Sequence, residues 1–165
     1  MDLIYNIGMT KESVFLIFFV IFAILAGNFV FNGGYINKNT SCGTYQTQQI
    51  LFGEKIVDAE ISDNDCKRIM GLSGRKELKN DTAMLFVFED EASQDIWMKD
   101  MNFSIDIVWV NSNQEIVLIK KNVSPETYPE VFGENVFSKF VIELPSGFAD
   151  VNNLKVGDNV SILVI

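Results

Sequence analysis

Five side chains of this sequence have the chemistry of a binding or catalytic site and stand where a lone charge is costly. Asp106 lies between Ile105 and Ile107, and Glu143 is flanked by aliphatic residues in the same way. Desolvated carboxylates persist in folded proteins when cations or hydrogen-bond donors compensate them. We therefore expect a single ligand-binding constellation that comprises Arg75, Trp97, Lys99, Asp106 and Glu143.

Three interpretations of this constellation are open. In the first, the charges form a buried ion-pair network that fixes strand register, and Trp97 belongs to the core. In the second, Trp97 is a flat apolar platform in a concavity where the charges orient a polar ligand such as a sugar or a small anion. In the third, the protein is a hydrolase or lyase in which Lys99 transfers protons with Asp106 or Glu143. We prefer a binding or structural module and assign no catalytic residue.

Other kinds of site lack the residues they need. The sequence contains no histidine, which excludes Ser-His-Asp and Cys-His nucleophiles. Residues 73–76 spell S-x-x-K and residues 62–64 spell S-D-N, but their order is the reverse of that in penicillin-recognising enzymes and the K-T-G element is missing. The carboxylates between Asp58 and Asp65 lack the calcium-loop pattern, so they are predicted to be a hydrated surface. We expect no cofactor and no metal.

The charge of the chain argues against a nucleic-acid partner. The net charge is −9, and all of it falls after residue 40, because Lys11 and Lys38 balance Asp2 and Glu12 in the first part. A strongly acidic domain repels phosphate backbones. We therefore expect a small polar ligand or a component of the cell envelope as partner.

Five sequence blocks, four of which contain the candidate residues, share their order and spacing with a known family. They are Arg68-Ile69-Met70-Gly71-Leu72-Ser73-Gly74-Arg75, Met84-Leu85-Phe86-Val87-Phe88, Trp97-Met98-Lys99, Ile105-Asp106-Ile107 and Ile142-Glu143-Leu144. Over about residues 50 to 161 the chain resembles the family called domain of unknown function 192. The resemblance implies a compact antiparallel β barrel or sandwich with short helices, but it implies no reaction. It points to a working surface that contains Arg68, Gly71, Leu72, Arg75, Trp97, Met98, Lys99, Asp106 and Glu143.

The residue pattern by itself also predicts a mainly β domain. Several segments are apolar on both faces, which is typical of a closed or two-layered sheet. Ser62 is predicted to cap one short helix with an inward apolar face, which Gly71 ends. The predicted elements are strands Ile50–Phe52 and Lys55–Ile61, helix Asp63–Met70, strands Met84–Phe88 and Ile96–Met98 around an acidic turn Glu89–Asp95, hairpin Phe103–Val110 with Glu115–Lys120, and strands Val136–Leu144 and Val156–Ile165.

An apolar segment near the start of the chain predicts a membrane helix. The 18 residues from Val14 to Phe31 are almost all aliphatic or aromatic, and a helix of that length spans ~27 Å, close to a thin hydrocarbon core. We expect an uncleaved single-pass anchor with the domain outside the cytoplasm. A cleaved signal peptide, which would release a secreted protein, and a buried soluble helix are the alternatives.

This segment sets the expected organisation of the chain. Residues 1–31 are the anchor or signal, residues 32–48 a polar linker and residues 49–165 the β domain. Cys42 and Cys66 would be able to form a disulfide in an oxidising compartment. The interpretation we prefer is a buried thiol at Cys66 and an unpaired linker residue at Cys42.

Overall fold

The structure is a computed structural model and describes residues 42–162. The predicted membrane segment 14–31 and most of the predicted linker lie outside the described residues. Between positions 42 and 162 no helix is long and apolar enough to cross a membrane.

Residues 42–162 fold into a mainly β domain with two short helices. The strands are β1 (Thr47–Phe52), β2 (Lys55–Ser62), β3 (Thr82–Ser93), β4 (Ile96–Trp97), β5 (Ile105–Val110), β6 (Ile116–Val123), β7 (Val131–Phe132), β8 (Phe137–Pro145) and β9 (Val160–Ile162). The helices are α1 (Asp65–Met70) and α2 (Phe148–Val151), with one 3-10 turn at Pro125–Thr127. Seven strands form one sheet in the order β6-β5-β8-β3-β2-β1-β9, and β4 pairs with β7.

The seven-stranded sheet is curled into a half-barrel, and its two edge strands, β6 and β9, approach each other at one end. Glu115, just before β6, forms a bridge with Asn159, just before β9. The Gln114 amide group also hydrogen-bonds both backbone polar groups of Ile162. These contacts satisfy exposed strand edges, which otherwise invite pairing with other chains.

One strand pair corrects the expectation of an antiparallel architecture. Strands β2 and β3 are parallel, because the chain between them, residues 63–81, crosses over one face of the sheet before it enters β3. A parallel pair requires such a crossover. The crossover contains α1 and the residues up to Arg75, so it also builds one wall of the candidate site.

Each face of the curled sheet carries an apolar core, and alternation along the strands assigns each side chain to one of them. The first core contains Ile50, Val57, Leu85, Val108, Ile142 and Leu144, together with Phe148 and Ala149 of α2. The second contains Met84, Phe86, Ile107, Trp109 and Val141, together with Leu72 and Met98 from the segments that cover this face. The candidate site lies beside the second core.

Three local expectations differ from the structure. The helix cap is Asn64, whose side chain accepts a hydrogen bond from Lys67 N, whereas Ser62 ends β2 as a buried residue. The apolar face of the helix does not point wholly inward, because Ile69 is 55 % exposed. Glu89, Asp90 and Glu91 belong to β3, because the strand continues through a register shift to Ser93 instead of ending in a turn after Phe88.

Cys42 and Cys66 are joined by a disulfide, with their Cα atoms 5.5 Å apart. This corrects the interpretation of two unpaired cysteines. Nothing in the spacing of the two residues indicated their contact, which depends on how the segment before β1 packs against α1. The bridge attaches that segment to the helix whose end borders the candidate site.

Candidate functional site

The site is built on one row of residues that runs across the central strands. The strand registers place Glu60 of β2 beside Met84 of β3, Met84 beside Glu143 of β8, and Glu143 beside Ile107 of β5. Residues in one row project from the same face of a sheet. Glu60 and Glu143 are therefore two strand spacings apart on the face of the second core.

Glu143 is a buried carboxyl group that forms no ion pair with any of the residues 42–162. Only 4 % of the residue is exposed, and its Oε2 atom has no hydrogen-bond partner among the described residues. Burial raises the pKa of the Glu143 carboxyl to about 8, and the nearby Arg75 guanidinium opposes that rise only in part. At neutral pH the group is therefore a carboxylic acid, which can both donate and accept a hydrogen bond.

Arg75 does not pair with Glu143, because Glu60 holds it. Two parallel hydrogen bonds of 2.7 Å join the Arg75 guanidinium to the two carboxylate oxygens of Glu60. These bonds lower the pKa of Glu60 and raise that of Arg75. The Arg75 guanidinium carbon also lies 5.7 Å from the ring centre of Tyr45. Arg75 thus acts on Glu143 only through its nearby charge.

A small cavity opens above Glu143, and we call it the Glu143 cavity. Its volume is about 50 Å³, which is room for about four water molecules. It lies between the end of α1, with the turn that follows it, and the segment around β4. Its lining consists of Arg68, Ile69, Met70, Gly71, Leu72, Ser73, Phe86, Asp95, Ile96, Trp97, Lys99, Met101 and Glu143.

Hydrogen bonds between loop residues hold the two walls of the cavity at a fixed separation. Ser73 Oγ donates to Lys99 O over 2.9 Å, and Gly74 N donates to Asp100 O over 2.8 Å. Gly71, with φ of 47°, ends α1 and turns the chain toward these contacts. This left-handed conformation favours glycine, which explains a glycine at the position where the crossover enters the cavity wall.

Trp97 and Lys99 place an aromatic ring and an ammonium group at the edge of the cavity. Trp97 is 48 % exposed, and its ring packs edge-on against Tyr128 with 6.3 Å between ring centres. Lys99 Nζ lies 5.7 Å from the Trp97 ring centre, within reach of a cation–π contact. Lys99 makes no ion pair with any residue in the range 42–162.

Arg68 borders the cavity but is already engaged by protein groups. Its guanidinium donates to Val87 O over 2.7 Å and to Asp65 Oδ1 over 2.8 Å, and it lies over the ring of Phe88. Arg68 therefore links α1 to β3 and stabilises one wall of the cavity. Lys99 is the lining cation that remains available to a ligand.

Asp106 lies outside the Glu143 cavity. It is fully buried, and its carboxylate accepts three backbone hydrogen bonds, from Asn122, Gly147 and Ala149, at distances of 2.8 to 3.1 Å. These donors compensate its charge without a cation. Asp106 thus anchors the start of α2 and the end of β6 to the sheet.

The structure therefore divides the five sequence candidates. Trp97, Lys99 and Glu143 border one cavity, Arg75 lies beside it in a pair with Glu60, and Asp106 is on the other face. Sequence reasoning missed Glu60, which was interpreted as hydrated surface, and also Asp95 of the cavity lining. No local signal distinguishes a paired carboxylate from a hydrated one, because the partner is distant in sequence. Within residues 42–162 no group of three or more metal-ligating side chains is close enough to hold a metal ion.

Two solved protein structures have a fold similar to that of this domain. No curated protein matches the chain. A crystal structure of a proposed transcription regulator from Sinorhizobium meliloti 1021 is similar, with a TM-score of 0.68 and 21% identity over 73% of this chain and 97% of that protein. A protein of unknown function from Novosphingobium aromaticivorans DSM 12444 has a TM-score of 0.68 and 20% identity over 74% of this chain and 90% of its own. At these identities the likeness concerns the fold alone.

The sequence profile of one family covers most of the domain. It matches residues 48–162, which include all five candidate blocks and the whole sheet apart from the first residue of β1. The chain belongs to the family of domain of unknown function 192 (DUF192), described as "Uncharacterized ACR".

Proposed function

We propose that this domain is a binding module that holds the polar end of a small ligand in the Glu143 cavity. The observation that carries the proposal is that Glu143 lines the cavity and that its buried Oε2 atom has no hydrogen-bond partner within the described residues. A buried polar atom without a hydrogen bond costs about 1–3 kcal/mol. A ligand that supplies the missing hydrogen bond recovers that energy on binding.

The edge of the cavity supports the same proposal. Trp97 lines the cavity and is half exposed, and the half-exposed Tyr128 packs against its ring. Exposed aromatic side chains beside a concavity are common in ligand sites, because their apolar faces bind while their edges tolerate water. Lys99 adds a positive charge at the same edge. A ligand with a polar tip and a flat or apolar body is complementary to this arrangement.

The proposed setting is the outer side of a membrane. The apolar segment 14–31 would anchor the chain, and the Cys42–Cys66 disulfide supports export, because such bonds persist in oxidising compartments. The partners are then a small polar molecule or an envelope component in addition to the lipid. Nucleic acid is not among them, since the net charge is −9.

A ligand screen on the full chain in detergent tests the binding function. Sugars, small organic acids and amines are screened by thermal shift, and positives are titrated by tryptophan fluorescence. Only Trp97 is exposed, because the other tryptophan, Trp109, is fully buried. We expect a positive ligand to stabilise the wild type and to lose at least about tenfold in affinity with Trp97→Ala, whereas the exposed control Val156→Ala binds normally. Equal binding by both variants would contradict the proposed site.

An enzyme of the hydrolase or lyase type is the second candidate. Glu143 favours this candidate, because its carboxyl group lines a cavity and has a pKa of about 8. A carboxyl group with a pKa near neutrality is suited to act as a general acid. Lys99 would provide the second charge, whereas Asp106 faces away. Chromogenic p-nitrophenyl esters and glycosides test this candidate. Turnover must be abolished by Glu143→Gln and kept by Glu54→Gln, a variant of an exposed turn. Turnover that survives Glu143→Gln eliminates it.

A further inference from the structure

We infer that the Glu143 cavity receives the carboxylate of a small organic acid, which shares the proton of the Glu143 carboxyl group and pairs with the Lys99 ammonium. This inference rests on the proposed binding function and specifies its ligand class. Three features support it: the engagement of Arg75 elsewhere, the charges that face Glu143, and the size of the cavity.

The engagement of Arg75 leaves Glu143 as a hydrogen-bond donor. Arg75 is the nearby cation that would otherwise stabilise an ionised Glu143, but the two hydrogen bonds of its guanidinium group go to Glu60. The Glu143 carboxyl group lies buried in the cavity wall without an ion-pair partner among the described residues, so it retains its proton and is a hydrogen-bond donor. An ionised carboxylate is the strongest acceptor for such a donor, because charge-assisted O–H···O bonds are about twice as strong as neutral ones.

The charges that face Glu143 favour an anion with a single charge. Arg68 approaches from α1 and is paired with Asp65. Lys99 and Asp95 flank β4, and both are exposed. Lys99 is thus the available cation, and the Asp95 carboxylate opposes any further negative charge on the ligand. A cationic ligand would have to compete with Lys99 for the face of Trp97.

The size of the cavity determines which part of the ligand enters. A volume of about 50 Å³ holds about four water-sized positions, which matches a carboxylate group with its α-carbon. A complete sugar ring exceeds this space. The remainder of the acid would then lie outside, against the exposed face of Trp97.

Three probes of matched size test the inference on the full chain in detergent. Propionate carries the anion, propylamine a cation and 1-propanol no charge. Binding is measured by saturation-transfer NMR and by Trp97 fluorescence at about pH 6 and about pH 9, which bracket the titration of Glu143. We expect propionate to bind more tightly than the other two at pH 6 and to weaken about tenfold at pH 9, since the donor proton is lost.

Two variants measure separately the contribution of the Glu143 proton and that of the Lys99 charge to propionate binding. Glu143→Gln has no titrating proton, so its propionate affinity should be the same at about pH 6 and about pH 9. Lys99→Met should weaken propionate binding at both pH values, whereas Lys155→Met, a control at an exposed lysine outside the cavity lining, should not. If the propionate affinity of the wild type stays constant or rises from about pH 6 to about pH 9, the inference is overturned.

The outcome also distinguishes this inference from the function on which it depends. If propylamine or 1-propanol binds more tightly than propionate, and Trp97→Ala weakens that binding, the proposed binding function stands. The same result contradicts the inference that the ligand is a carboxylate. If none of the three probes binds, the inference fails, while the wider ligand screen still decides the binding function independently.

Discussion

Glu143 and Asp106 lie on neighbouring strands, but their side chains are on opposite faces of the sheet. The residue directly beside Glu143 on β5 is Ile107, and Asp106 instead lies beside Leu144. Successive residues of a strand alternate between faces. The two buried carboxyl groups therefore have different roles: Glu143 lines the cavity, whereas Asp106 accepts backbone hydrogen bonds on the other face.

Asp106→Asn should destabilise the domain and leave the cavity unchanged. The carboxylate accepts three backbone hydrogen bonds, and an amide has one oxygen to replace two. We expect a loss of about 1–3 kcal/mol in the free energy of unfolding, measured by urea denaturation. Ligand affinity should stay within about twofold at temperatures where the variant is folded. Unchanged stability with lost binding would place Asp106 in the site after all.

Glu143 should make the domain less stable as the pH rises. Its pKa is raised from 4.5 to about 8 on folding, so between these values the folded state binds more protons than the unfolded state. The contribution of Glu143 to the free energy of unfolding is therefore at its full value below pH 4.5, and it is lost as the pH rises from 4.5 to about 8. Chemical denaturation at pH 5 and pH 8.5 should show a fall on the order of a few kcal/mol that Glu143→Gln removes. An identical fall in this variant would assign the pH dependence to other groups.

Arg75→Met should raise the pKa of Glu143 further. Arg75 is the cation that opposes the effect of burial on this group, and its loss also leaves Glu60 without its partner. We expect an upward shift of the Glu143 titration, followed by NMR of its side-chain carboxyl carbon. Arg75→Lys, which keeps the charge but not the paired geometry, should shift it less. A downward shift with Arg75→Met would show that Arg75 does not act on Glu143 as a charge.

Reduction of the Cys42–Cys66 disulfide should destabilise the domain and weaken ligand binding. The bridge spans a sequence separation of 24 residues, and a closed loop of that length corresponds to ~3 kcal/mol in the chain-entropy model. Thermal melting with and without reductant, beside a Cys42→Ser and Cys66→Ser double variant, measures the effect. Mass spectrometry of unreduced protein should show the linked peptides. A double variant as stable as the oxidised wild type would contradict a structural bridge.

Local sequence patterns predicted the elements that depend on neighbouring residues. The first hairpin formed as expected, with Phe52 paired to Lys55 across a two-residue turn, and so did the hairpin of β5 and β6. Gly71 ends α1, as its lack of a β-carbon indicated. Alternation, turn residues and end signals act within a few positions, so a single sequence contains the information they need.

Features that depend on distant parts of the chain were not predictable in the same way. The acidic residues after Phe88 were predicted to form a turn, because charged side chains favour solvent. In the structure the strand continues instead, and Ala92 pairs with Ser138 of β8. The contact of Cys42 with Cys66 depends on the packing of one segment against a helix. Glu60 became the partner of Arg75 because the crossover returns across the sheet to reach it.

The sequence by itself determined the family, the mainly β class and the residue types available for chemistry, because blocks and alternation are properties of the chain order. It also placed Glu143 and Asp106 among aliphatic residues, which showed that both are buried. Only the tertiary structure decided that Glu143 opens to a cavity and that Asp106 binds backbone donors. Burial is a property of one residue and its neighbours in sequence, whereas a partner is determined by the register of strands that lie far apart in the chain.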